Sequence, residues 1–420
     1  MKALRQFFGA NMRQYALFGF LIVVMAFFAW QTGGRTLHSE NLQNIIIGWS
    51  YVLVMALGML FVIVMGQIDL APGSVAAVVG ICLALSIKDW GFPWWAGILF
   101  GIAVGTAIGM WQGAWLAYIG VPGFITTLAG QMLFRGLDQH ISNGQSVPVP
   151  PQIVKIGSGF LPDWGPHTGF NNPTLVLGVI AMLAVIYREI RRRGKIVRGG
   201  GIVPPTWVMI ARLATVVAAL AILTIAFANG RPGTSFPIAG VIIVLLVIFY
   251  HFVETRTTIG RGVYAVGGNK AAAALTGINI KKVYFIAMTN MSFLAAVAAI
   301  MFVGKSGSTG LSDGSGWELD VIAAVFVGGA AVSGGVGTVI GSVIGGLFMS
   351  ILSNGMFVLG VGSDWSAMIR GLVLLVAVAF DLYSKAQGRP SITGAIMRGL
   401  RSRRKETQGE EQVRPEVAKI

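Results

Sequence analysis

The chain has 420 residues, of which 55% are hydrophobic and only 11% charged, with a mean hydropathy of +0.75. A soluble globular protein carries about 25% charged residues, so a water-soluble fold is excluded. The formal net charge of +15 does not point to nucleic acid, because the basic residues lie between and beyond apolar runs, where membrane topology and anionic headgroups account for them.

The apolar runs reach or approach the ~20 residues that cross a bilayer as helix, and they do not alternate in polarity as an outer-membrane barrel would. An all-α polytopic membrane protein with ten to twelve spans is expected. Cys82 is the single cysteine, so no internal disulfide can form, and it reads as a small packing residue.

Lys2, Arg5 and Arg13 precede the first apolar run with no acid before Glu40, which places the N-terminus on the cytoplasmic side. No cleavage site follows Tyr15 to Trp30, so this reads as a retained first helix. A second run, Asn44 to Met65, returns. It ends in M-G-Q-I-D-L-A-P-G-S, residues 65 to 74, where Gly66 and Pro72-Gly73 interrupt any helix. Asp69 sits in this break. An ionisable residue at membrane depth costs roughly 2.5–3.5 kcal/mol, which makes Asp69 a candidate for the substrate path. The other reading puts it at the inner surface, wet or capping the next helix.

Val75 to Ile87 goes out and Trp94 to Tyr118 comes back, the latter with Gly97, Gly101, Gly105, Gly109 and Gly113 on one face for close helix contact. The segment from Val121 to Gly136 opens on a proline turn, and Arg135 near its end is expected to snorkel to the surface. Residues 138–172 form a polar loop with few basic residues. It should face outside and be built from turns, as a candidate docking surface for an external binding protein.

Pro173 to Tyr187 leads inward to a basic cluster, Arg188, Arg191, Arg192, Arg193, Lys195 and Arg198, which fixes the 188–205 loop inside. Thr206 to Ala228 and Phe236 to Phe252 follow. The next stretch, T-T-I-G-R-G-V-Y-A-V-G-G-N-K-A-A-A-A-L-T-G-I-N from Thr257 to Asn279, is moderately polar and glycine-spaced between two apolar runs. Counting spans places it inside, and Arg256, Arg261, Lys270, Lys281 and Lys282 agree. Gly260, Gly262, Gly267 and Gly268 allow tight turns and close backbone approach, and Lys270 to Leu275 favours a short helix stopped by Gly277.

This pattern, T-x-x-G-R-x-x-Y-A-x-G-G-N-x-x-A-A-x-x-x-G-I-N, resembles the cytoplasmic loop of sugar-type permeases of ABC importers, the ribose and xylose permease family. The resemblance implies that the loop, about 254–282, docks on an ATP-hydrolysing subunit. Thr257, Gly260, Arg261, Tyr264, Gly267, Gly268, Asn269, Ala272 and Gly277 would then be its coupling residues. It covers about Asn44 to Asp381 and is interrupted at about 138–235, where the xylose-type branch is longer by a helical hairpin. It further implies a type II importer-like permease of the bacterial inner membrane with both termini cytoplasmic. The implied partners are a second permease copy, a periplasmic sugar-binding protein and a cytoplasmic ATPase with two nucleotide-binding domains. Membrane lipid surrounds it, and a monosaccharide such as xylose or a related aldose would cross by alternating access.

Tyr284 to Val303 runs out to a glycine-serine stretch at 304–316. W-E-L-D-V-I-A-A then opens on Glu318 and Asp320, which either cap a short, broken helix through its dipole or meet sugar hydroxyls near the outer mouth. Val339 to Leu359 and Ser366 to Leu382 close the permease domain, about 1–384, with Arg370 available to pair with Asp364 or a neighbour. The charged tail, 385–420, is expected to be disordered, and its basic half from Arg398 to Lys405 suits the inner leaflet.

No phosphate-binding G-x-x-x-x-G-K-[ST] loop occurs, and His38, His140, His167 and His251 are scattered rather than spaced as metal ligands. The expectation is therefore no catalytic residue, no cofactor and no metal, with energy borrowed from a partner. The alternative is an ion-coupled secondary transporter or channel, for which Asp69 would have to serve as the relay.

Overall fold

The computed structural model describes residues 12–166, 169–200, 205–229 and 234–386. Its helices are α1 Met12–Gln31, α2 Ser39–Val64, α3 Pro72–Lys88, α4 Trp94–Ala114, α5 Gly123–Ser142, α6 Pro151–Ser158, α7 Asn172–Arg198 and α8 Thr206–Ala228. They continue with α9 Ile238–Arg256, α10 Thr258–Gly268, α11 Lys270–Leu275, α12 Ile280–Ser306, α13 Trp317–Val327, α14 Val339–Val358 and α15 Ser363–Ala386. A π-helical turn, Trp115–Ile119, extends α4. Extended pairing among the described residues is limited to the isolated bridges Pro148–Ser308 and Phe160–Pro237. The chain is a polytopic all-α membrane protein. Among the described residues, eight helices are long and apolar enough to cross a bilayer, and two shorter apolar helices, Leu17–Gln31 and Pro72–Lys88, join them.

The helices divide by what they bury. In α2, 83% of the apolar stretch is buried inside the protein, and in α12, 67%; in α7 and α8 the shares are 11% and 6%. So α2 and α12 are central, and the α7–α8 hairpin stands at the periphery, where an apolar surface needs no protein to cover it. Small residues make the centre possible. The glycine row of α4 packs as its spacing predicts: Gly105 meets Ala296, Gly109 meets Ser292 and Thr289, and Gly113 meets Phe285, all on α12.

Two crossings are broken, and they touch. Residues 65–71 carry no helix before α3 begins, and residues 309–314 run back along α3 from Gly80 toward Gly73 before α13 begins. A Cβ on either Gly73 or Gly314 would overlap the carbonyl oxygen of the other, so the two backbones meet where only glycine fits. The irregular stretch at 328–338 lies beside the end of α2, with the Gly335 amide donating to the Val64 carbonyl at 2.8 Å.

The 138–172 region departs from the turns expected of it. Pro150 and Pro151 start α6, since proline suits the first helical turn. Ile153 of α6 is fully buried, and Gly157 sits against Met301 and Lys305 of α12. One face of α6 is thus packed onto the bundle, while residues 162–166 remain exposed. The C-terminal tail from residue 387 lies outside the described residues.

Candidate functional site

The helix pair α10–α11 forms the first candidate region. Thr257 caps α10: its Oγ1 accepts from the Gly260 amide at 3.1 Å and donates to the Val253 carbonyl at 2.7 Å. Of the two uses expected of these glycines, turns and close approach, the turns are not found, since all four lie within α10. Their role is approach rather than bending: a Cβ at Gly267 would overlap the Val64 carbonyl oxygen and reach within 2.7 Å of the Gly335 amide. The pair is thereby bedded on the end of α2 and on the 328–338 stretch.

Asn269 caps α11, accepting from the Ala272 amide at 3.0 Å, and Gly277, at φ +82°, ends it as expected. Ala273 is the buried residue of α11, while Leu275 is 90% exposed, and Arg261, Gly268, Asn269, Ala272 and Gly277 are also exposed. The Lys270 ammonium stands 5.3 Å over the Tyr284 ring. Tyr264 turns inward. Its hydroxyl lies 2.9 Å from Glu254 Oε1 and 2.9 Å from the Gly337 carbonyl. Burial, and after it the Glu254 carboxylate, push the Tyr264 phenol up, so it keeps its proton and donates. Sequence reading passed over Glu254. The available signal was a lone acid in the last turn of an otherwise apolar helix, the wrong end for its charge.

The second region is the meeting of the two broken crossings. Asp69 is 1% exposed, and its Oδ1 accepts from the Ala71 amide at 2.9 Å, turning the chain into α3. Glu318 Oε1 accepts from Gln131 Nε2 at 2.9 Å, while its Oε2 is buried without a hydrogen bond and lies against Gly73. Asp320 pairs with Arg370, Oδ2 to Nη1 at 2.6 Å. Arg370 therefore finds the neighbour and not Asp364.

Arg135 does not snorkel. Its Nη1 donates to the Asp313 carbonyl at 2.6 Å and stands 4.0 Å from Asp138. A carbonyl freed by the break at 309–314 needs a donor, and a charged one is the strongest available. Sequence reading also missed that α5 carries a polar stripe. Thr127, Gln131 and Arg135 recur every fourth residue and so share a face. Thr127 takes the Leu70 amide of one broken crossing at 3.0 Å, and Gln131 and Arg135 hold Glu318 and Asp313 of the other. The structure thus brings Asp69 and Glu318 to one stripe and turns Asp320 away toward α15.

The chain is 35% identical to the xylose transport system permease protein XylH of Haemophilus influenzae, over 89% of this chain and 97% of that protein. The protein of the same name from Escherichia coli K12 is 33% identical over 89% of this chain and 93% of its own. The ribose import permease protein RbsC of Escherichia coli K12 is 31% identical over 81% and 85%. No solved structure matches the chain. Residues 41–378 match the family described as branched-chain amino acid transport system / permease component, and the chain belongs to that family.

Proposed function

We propose that this chain is the permease subunit of an ABC importer that carries a monosaccharide, xylose or a related aldose, across the bacterial inner membrane. The observation that carries the reading is the 35% identity to a xylose transport system permease over 97% of that protein's length. Because the match extends over 89% of this chain, it leaves little room for a different transport unit. The family description names branched-chain amino acids, but the relatives at 31–35% identity are named for pentoses.

In this reading ATP is hydrolysed by a cytoplasmic partner with two nucleotide-binding domains, which grips α10–α11. Both termini are cytoplasmic. Arg261, Asn269, Ala272 and the exposed Leu275 form the gripped face, Thr257 and Gly277 define the helix ends, and Tyr264, Gly260, Gly267 and Gly268 seat the pair on the bundle. A periplasmic binding protein delivers sugar near 138–172, a second copy completes the transporter, and lipid covers the apolar periphery. Substrate passes the broken crossings at Asp69 and Glu318, where carboxylates can accept from sugar hydroxyls, and Asp320, paired with Arg370, borders the path. Alternating access follows from ATP-driven movement of the pair.

The test is uptake of labelled xylose into proteoliposomes holding permease, ATPase and binding protein. Uptake is expected only with ATP and the ATPase. Arg261→Ala should keep the permease in the membrane and lose uptake relative to ATP hydrolysis. Uptake by the permease alone would overturn the reading in favour of ion coupling.

A further inference from the structure

Glu254 stands in the last turn of α9, where its charge opposes the dipole of its own helix. Its carboxylate is 8% exposed and is hydrogen-bonded by two other groups, with a third close by. The Tyr264 hydroxyl of α10 reaches Oε1 at 2.9 Å, the Val339 amide donates to Oε2 at 3.2 Å, and His251 Nδ1 stands 3.4 Å from the same oxygen. Val339 is the first residue of α14, so the acid serves the positive end of another helix and satisfies one of its orphan amides. Thr338 satisfies a second, accepting from the Gly341 amide at 3.0 Å. Tyr264 also reaches the Gly337 carbonyl, so both atoms of the link, acid and phenol, touch the start of α14.

What α14 carries gives the link its meaning. Along its length Gly341 and Gly345 lie against the backbone of α13 at Gly328 and Ala324, closer than any side chain would permit. The far end of α13 bears Glu318 and Asp320. Contact thus runs without a gap from α10, through Glu254, into α14 and on to the broken crossing. We infer that Glu254 is a positioning residue that locks the cytoplasmic helix pair to the first turn of α14, so that movement of the pair is passed to α14 and α13. This rests on the reading that an ATPase moves the pair. The chain of contacts is a spatial observation, and the two-state behaviour of α14 is what the experiment reads.

The experiment is hydrogen exchange on the permease–ATPase complex, without nucleotide and trapped with ATP and vanadate, read at residues 258–279 and 336–345. In the native protein trapping is expected to change exchange in both segments. Glu254→Gln should keep the nucleotide-driven change at 258–279 and lose it at 336–345, and Tyr264→Phe, which removes only a hydroxyl, should do the same. Reading the nucleotide-driven difference separates transmission from loosening of the helix start, which would raise exchange in both states alike. If Glu254→Gln retains both changes, or Tyr264→Phe does when the first variant does not fold, the inference is overturned. If the native complex shows a change at neither segment, the ATPase reading falls and this inference with it.

Discussion

The helix pair α10–α11 and the junction of the two broken crossings solve the same problem by different means. Both bring backbone against backbone at glycines, Gly267 on Val64 in one and Gly73 on Gly314 in the other. At the pair, whose outer residues are exposed, the freed amides are met by neutral caps, Thr257 and Asn269, and the tip is left bare. At the junction, which is buried, a freed carbonyl and a carboxylate are met by charged donors, the Asp313 carbonyl by Arg135 and Asp320 by Arg370. Solvent can stand in for a weak cap but not for a buried charge, so the second arrangement is the more costly to disturb.

That contrast can be broken experimentally. The largest effect is expected from Arg370→Ala, which strands Asp320 at 9% side-chain exposure. The loss should be about 3 kcal/mol by thermal unfolding in detergent, and most of it should return in Arg370→Ala with Asp320→Ala. Gly267→Val should cost about 2–3 kcal/mol by overpacking against the end of α2, whereas Gly268→Ala, with nothing within 4 Å, should cost no more than a few tenths. Asn269→Ala removes one cap and should cost about 1 kcal/mol, seen as faster hydrogen exchange confined to α11. Leu275→Ser should leave stability within about 0.5 kcal/mol, because the residue is 90% exposed, and yet reduce co-purification with the ATPase. Equal losses from Asn269→Ala and Arg370→Ala would remove the distinction between the two regions.

Local order explains which features were readable. The apolar runs, the helix Lys270–Leu275 with its glycine stop, the glycine row of α4 and the breaks near Pro72 and Trp317 are each set by neighbours in the chain, through hydropathy, period or backbone freedom. Glycines at 260, 262, 267 and 268 left two uses open because the same residue serves a turn and a close contact, and only the presence of Val64 and Gly335 says which. The helix α6 was missed for a related reason: Pro150 and Pro151 begin helices as readily as they end them.

Composition and periodicity, then, determined that this chain is a bundle of membrane helices with two interruptions and a short helix between apolar runs, because a bilayer dictates length and hydropathy residue by residue. Tertiary structure alone decided the partners of its charges. Arg135 turned inward to a carbonyl 178 positions away, Arg370 reached Asp320 across 50, and Glu254 reached the start of α14 across 85. Each charge takes the strongest acceptor or donor that packing leaves within 3 or 4 Å, and that choice depends on which helices lie side by side rather than on the order of residues along the chain.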